Sequence, residues 1–168
     1  SISSNNWNVT SLAEPQLNKT VYDFIPVQES ASEYYAACED GLYIYNTSQG
    51  WTQCLSEPRK VNSILPFTQN KNNIIIGTDK GVFYKNGTSE DWFQHNNGLG
   101  SCGIAQLKYF PEHYDWIFAA TNQGLYFSKD AGISWELITQ ELQDTVVNTV
   151  EIVESLQATV LIGTNNGV

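Results

Sequence analysis

The chain reads as all-β, a succession of four-stranded antiparallel sheets, because a fixed repeat, short apolar runs within it and turn residues at their borders all agree. Segments opened by Val21, Val61, Ile104 and Val147 each reach a glycine twenty positions later, at Gly41, Gly81, Gly124 and Gly167. Successive glycines lie 40, 43 and 43 residues apart. Around each one the same passage recurs: an apolar strand ending in a small residue, a two-residue polar turn, the glycine, and a second apolar strand. It reads Ala36-Ala37-Cys38-Glu39-Asp40-Gly41-Leu42 in the first unit and Ile76-Gly77-Thr78-Asp79-Lys80-Gly81-Val82 in the second. Ala119-Ala120-Thr121-Asn122-Gln123-Gly124-Leu125 and Ile162-Gly163-Thr164-Asn165-Asn166-Gly167-Val168 follow.

Each unit resolves into four strands, since its apolar runs are four to seven residues long, rich in Val, Ile, Tyr and Phe, and bounded by Gly, Asn, Asp or Pro. In the third unit the strands are expected over Ile104–Tyr109, Trp116–Ala120, Gly124–Ser128 and Trp135–Thr139. Trp51 and Trp92 stand in earlier units where Trp135 stands here, and all three are expected as wedges between sheets. The glycine of each unit closes a tight hairpin with one residue at positive φ. Ala36-Ala37, Gly77, Ala119-Ala120 and Gly163 are small where neighbouring sheets approach. A lone sheet cannot bury both faces, so copies must stack, and radial stacking at this period is a β-propeller.

The blades are expected over 21–60, 61–103, 104–146 and, in part, 147–168. Residues 1–20 supply a strand to a neighbouring blade, because Trp7 lies 44 positions before Trp51. Two arrangements follow: a ring of about four blades closed by that strand, or part of a ring of about six to eight. Joining Val168 to Ser1 leaves fewer residues between Gly167 and Trp7 than intact units place there, which favours the larger ring.

Ser128-Lys129-Asp130-Ala131-Gly132-Ile133-Ser134-Trp135 satisfies the pattern Ser-x-Asp-x-Gly-x-Ser/Thr-Trp at every specified position. The first two units keep the tryptophan and lose the aspartate. This passage resembles the BNR or Asp-box propellers, a group that includes sialidases, sortilin-type receptors, xyloglucanases and photosystem assembly factors. The Ile-Gly-Thr-x-x-Gly-Val passages are similar to those of two-component-regulator propellers, found in periplasmic sensor domains. The resemblance implies a structural hairpin opened by Ser128: Asp130 binds turn amides, Gly132 takes positive φ and Trp135 anchors the next strand. Asp130 is thereby expected to stabilise its blade and not to catalyse.

A formal charge of −10, from 18 acidic and 8 basic residues, excludes nucleic acid and anionic membrane as partners. No apolar run is long enough to span a bilayer, and no signal peptide is visible. A start at Ser1 without any methionine fits a processed or excised product. Sequons at Asn8, Asn18, Asn46 and Asn86 favour an exported glycoprotein, extracellular or periplasmic. Cys38, Cys54 and Cys102 read as small buried hydrophobes: a strand separates the first two, and Cys102 reaches a partner only if loops bend. Three thiols without a C-x-x-C, with only His95 and His113, make no zinc site, so neither metal nor cofactor is expected.

In the sialidases of the resembled group, three arginines bind the substrate carboxylate and a tyrosine is the nucleophile. Arg59 is the sole arginine here, so the chain is not a complete sialidase. Hydrolysis by paired carboxylates needs only two acids at about 5 to 10 Å, and Glu39, Asp40 and Asp79, in turns of adjacent blades, are the candidates. Ordinary solvated turn residues are the competing reading. His95 follows a fourth strand and is a candidate for the same loop-bearing face, whereas His113 belongs to a turn and is structural. With Asn122 and Asn165, these loops form a candidate surface for hydroxyl-rich glycans or for protein. The sequence thus points to a non-enzymatic exported module for protein or glycan binding or for structural assembly. The alternatives are a propeller-type glycoside hydrolase, or a ligand-sensing periplasmic receptor domain, completed outside this chain.

Overall fold

The computed structural model describes residues 17–27, 30, 32–55, 57, 60–67, 73–87, 91–111, 113–153 and 158–167. The strand expected around Trp7, the Asn8 sequon and Arg59 lie outside the described residues. Three four-stranded antiparallel sheets follow one another, each in simple sequence order. The first comprises β1 (Val21–Pro26), β2 (Tyr34–Cys38), β3 (Gly41–Asn46) and β4 (Gly50–Gln53). The second comprises β5 (Val61–Pro66), β6 (Ile74–Thr78), β7 (Gly81–Lys85) and β8 (Trp92–Gln94). β9 (Ile104–Phe110), β10 (His113–Thr121), β11 (Gly124–Ser128) and β12 (Glu136–Leu137) form the third. β13 (Val147–Val153) and β14 (Thr159–Thr164) pair as a two-stranded fourth. The protein is all-β, built of propeller blades.

Two elements differ from expectation. β10 begins at His113, not Trp116, because His113 already pairs with Phe110 of β9. His113 is therefore a strand residue, stacked on Trp116 with ring centroids 4.5 Å apart. β12 excludes Trp135, whose N–H donates to Asn97 O of the preceding blade (2.9 Å) instead of to its own sheet.

The first strand of every blade carries a bulge between its opening residue and the residue two places on. A bulge bends a strand and sharpens its twist. These four strands adjoin in succession, and the residue just past each of the first three bulges reaches the next blade. Asp23 Oδ2 accepts from the Ile64 N–H (2.8 Å), Ser63 Oγ from the Leu107 N–H (3.1 Å), and Gln106 Oε1 from the Val150 N–H (2.8 Å). Acceptor and donor hold the same two positions in each blade, so one side-chain latch repeats with three different chemistries.

Apolar cores fill the seams. Leu42, Val61, Ile64 and Ile76 join the first blade to the second, Ile75, Leu99, Ile104, Ile117 and Trp135 the second to the third, and Phe118, Leu125, Val147 and Val150 the third to the fourth. A Cβ on Gly77 would lie 2.6 Å from Ile104 Cγ2, so only glycine permits this approach. Two of the three expected wedge tryptophans bond backwards across the seams, while Trp51 packs on Phe24 and Tyr45 of its own blade. Trp92 Nε1 donates to Cys54 O (3.3 Å) and Trp135 Nε1 to His95 O (3.0 Å). All three cysteines are free thiols.

Candidate functional site

The β2–β3, β6–β7 and β10–β11 turns and the segment after β14 carry the residues singled out above. Each turn ends in its glycine at positive φ: 145° at Gly41, 103° at Gly81, 129° at Gly124 and 114° at Gly167. Position by position, the turns are braced in the same way. The first turn residue donates its N–H to the carbonyl just before the blade's first strand, Glu39 to Thr20, Asp79 to Lys60 and Asn122 to Gly103. In three units a threonine hydroxyl closes the hairpin. Thr78, Thr121 and Thr164 donate to the glycine carbonyl at 2.8 to 2.9 Å while accepting from the second turn residue's N–H. The first unit has Cys38 there instead. The threonines stand three residues before each glycine, a signal visible in the repeat though the sequence reading gave it no role.

Most candidate side chains on this face are engaged within their own loops. Asp40 accepts from Lys19 Nζ (2.6 Å) and from the Tyr43 hydroxyl (3.2 Å). The Lys19 hydrogen bond, aided by Tyr43 and the lysine charge, holds its carboxyl below the ordinary aspartate range. Asn122 Oδ1 accepts from the Gly103 N–H (2.9 Å), and Asn165 Oδ1 from Asn148 Nδ2 (2.8 Å). Among the described residues Asp79 faces Lys80, at 3.8 Å. Among the described residues no hydrogen bond or ion pair joins Glu39 or Asp40 to Asp79, Asn122 or Asn165. What these turns present together is Glu39, Asp79 and the side-chain N–H groups of Asn122, lined along one edge of the blades.

His95 stands apart from that edge, in the seam beside the β11–β12 turn. Its ring stacks on Tyr84 at 5.2 Å, its N–H donates to Val82 O, and its carbonyl receives the Trp135 indole. Burial pushes its pKa below the ordinary histidine value, against the opposing pull of the Gly132 backbone and Asp130, and Nδ1 is buried without a partner among the described residues.

The β11–β12 turn is organised by Asp130. Oδ1 accepts from the Ser134 N–H (2.9 Å) and the Ser128 hydroxyl (2.8 Å), and Oδ2 from the Ser134 hydroxyl (2.5 Å). Burial pushes this carboxyl upward, but the Ser134 and Ser128 hydrogen bonds outweigh it, leaving the pKa below the ordinary value. Gly132 takes φ 84° and donates its N–H to Ser128 Oγ (2.9 Å), and the 6% exposed Trp135 fills the adjoining core.

Among the sequons, Asn18 and Asn86 are exposed, while Asn46 Oδ1 caps its turn by accepting from the Ser48 and Gln49 N–H groups. A groove of about 590 Å³, lined by Phe118, Leu125, Phe127, Leu137, Val160 and Ile162, separates the third blade from β14. Its apolar lining sets it apart from the polar turns. No cluster of three His, Cys, Asp or Glu suited to a metal ion occurs among the described residues. None of their helices is long and apolar enough to cross a membrane.

No protein-family profile matches the chain, and no curated protein matches it. Solved structures do. The extracellular domain of the hybrid two-component system BT4673 from B. thetaiotaomicron superposes with a TM-score of 0.67 at 19% identity, over 90% of this chain and 21% of that one. YCF48 bound to D1 peptide gives 0.59 at 18% identity, over 86% and 48%. The GH74 enzyme from Niastella koreensis gives 0.61 at 17% identity, over 87% and 26%. The chain thus spans between about a fifth and about half of the length of these structures, and the likeness is one of fold.

Proposed function

We propose that this chain is a non-enzymatic, exported β-propeller module of the Asp-box type that binds protein or glycan through its polar turns. The observation that carries the reading is how the carboxylates are arranged. Asp40 is tied to Lys19 and Tyr43, and Asp79 faces the lysine of its own turn. A hydrolase of the paired-carboxylate type needs two acids sharing one reacting centre, one of them with a raised pKa, whereas the Asp40 carboxyl is lowered. Glu39, Asp79 and the Asn122 amide offer acceptors and donors in a row along one edge. Such a row suits hydroxyl groups or the main chain of an extended peptide. The four candidate sequons and the fold likeness to a receptor's extracellular domain support export.

The test is calorimetric titration of the folded chain with panels of oligosaccharides and peptides. Binding that Asp79→Ala and Asn122→Ala both weaken supports the reading. Glycan cleavage lost on substituting Glu39 and Asp79 together would replace it with the hydrolase reading.

A second reading, a ligand-sensing domain of a signalling receptor, is favoured by the Ile-Gly-Thr-x-x-Gly-Val passages and the same likeness. A parent polypeptide bearing a membrane span and a kinase domain would establish it.

A further inference from the structure

We infer that Asn97 is a site of spontaneous modification, converting to aspartate and isoaspartate ahead of every other Asn-Gly pair in the chain and loosening the seam between the second and third blades. Three such pairs exist, Asn86-Gly87, Asn97-Gly98 and Asn166-Gly167. Asparagine followed by glycine is the reactive pair because no Cβ shields the glycine nitrogen or restricts its backbone. The three asparagines are all exposed, so accessibility does not separate them.

What separates them is the nitrogen that must attack. Gly87 N–H donates to Asn73 Oδ1 at 2.7 Å, and Gly167 N–H donates to Thr164 O at 3.2 Å. Among the described residues Gly98 N–H has no partner. It lies in the turn after β8, with Gly98 at φ 88°. Of the three nitrogens it alone needs to break no hydrogen bond before reacting.

Each step balances with water as the only co-reactant. The Gly98 nitrogen loses its proton to solvent hydroxide and bonds to Cγ of Asn97. The Cγ–Nδ2 bond breaks, ammonia leaves and a succinimide closes. Water then opens either imide carbonyl, giving aspartate or isoaspartate with no change of oxidation state.

The position makes the product consequential. Asn97 O accepts the Trp135 N–H at 2.9 Å, and Asn97 bridges Ser134, which in turn holds Asp130. Gly98 packs directly on the Trp135 carbonyl, where even a methyl group would collide. Isoaspartate routes the main chain through Cβ and lengthens it at this bridge, while adding a negative charge near Asp130. Both changes oppose the register that seats Trp135.

The experiment ages the folded 168-residue chain at mildly alkaline pH and maps peptides by mass spectrometry, with isoaspartyl methyltransferase labelling to mark the rearranged product. Expected is conversion at Asn97 several-fold faster than at Asn86 or Asn166, with the three rates converging in concentrated urea. The aged fraction should unfold at lower urea than fresh protein, and Asn97→Gln should abolish that drift. Conversion first at Asn86 or Asn166, no conversion at Asn97, or the same ranking of rates in urea as in buffer would overturn the inference.

Discussion

Replacing Ser63 with alanine probes how neighbouring blades are locked. Ser63 is 3% exposed, and its hydroxyl oxygen is the acceptor for the N–H of Leu107, itself 3% exposed, at 3.1 Å. Alanine keeps the backbone and removes only the acceptor, so the Leu107 N–H is left dry between two blades. A buried donor without a partner costs about 1–3 kcal/mol. For a chain of this size each kcal/mol lowers Tm by about 2–4 °C, so a loss near 2 kcal/mol lowers it by about 4–8 °C. Asp23→Ala and Gln106→Ala remove the equivalent acceptors, which are themselves half-buried although their donors Ile64 and Val150 are buried. Water can replace them there, and the cost falls to about 0.5–1.5 kcal/mol. Urea titrations followed by tryptophan fluorescence and far-UV circular dichroism give the ranking, with the m-value unchanged if only the native contact is lost. A Ser63→Ala midpoint within about 0.5 kcal/mol of the parent chain, the range of neutral surface substitutions, or a larger loss at Gln106 than at Ser63, would refute the latch.

Asp130→Asn should reduce stability at neutral pH and flatten the acid limb of the pH profile. The Asp130 pKa is lowered on folding, so its contribution is present above the unfolded value of about 3.9 and lost as pH falls through the folded one. Parallel urea midpoints from neutral pH to pH about 3 check this. His95 has the opposite acid–base character but a pKa also lowered on folding, so the folded chain favours the neutral ring. Its contribution is intact above the unfolded value of about 6.5 and declines below it, a slope that His95→Phe should remove in the same titration. Gly77→Val should cost about 1–3 kcal/mol by overpacking the Ile104 contact, measurable as a lower thermal midpoint.

Much of the architecture was legible along the chain. The glycine spacing marks the same positive-φ hairpin glycine in each repeat, and the third strand of the third unit, Gly124–Ser128, is legible in full. Tight hairpins, glycines at positive φ and small residues at the seams were legible because each is a demand that local backbone geometry makes on residue type. Errors arose where a distant strand intervened. Trp135 left its strand because its N–H is bound by Asn97, and His113 joined one because it pairs with Phe110. The polar face was legible as a set of turns but not as a set of free groups. That Asp40, Asn122 and Asn165 are engaged depends on Lys19, Gly103 and Asn148, each remote in sequence.

Period, strand count, turn chemistry and the acidic balance were therefore written in the linear chain, since φ/ψ preference and hydrophobic alternation act over a few residues. The inter-blade latch was not, because Asp23, Ser63 and Gln106 share no side-chain chemistry, only a position past a bulge that faces the next blade's main chain. Nor was the exposure of the Gly98 nitrogen or the isolation of His95 in its seam, for which stacking decides what each group meets. A sequence motif records what a residue is; a hydrogen bond across more than forty residues depends on where folding has put its partner.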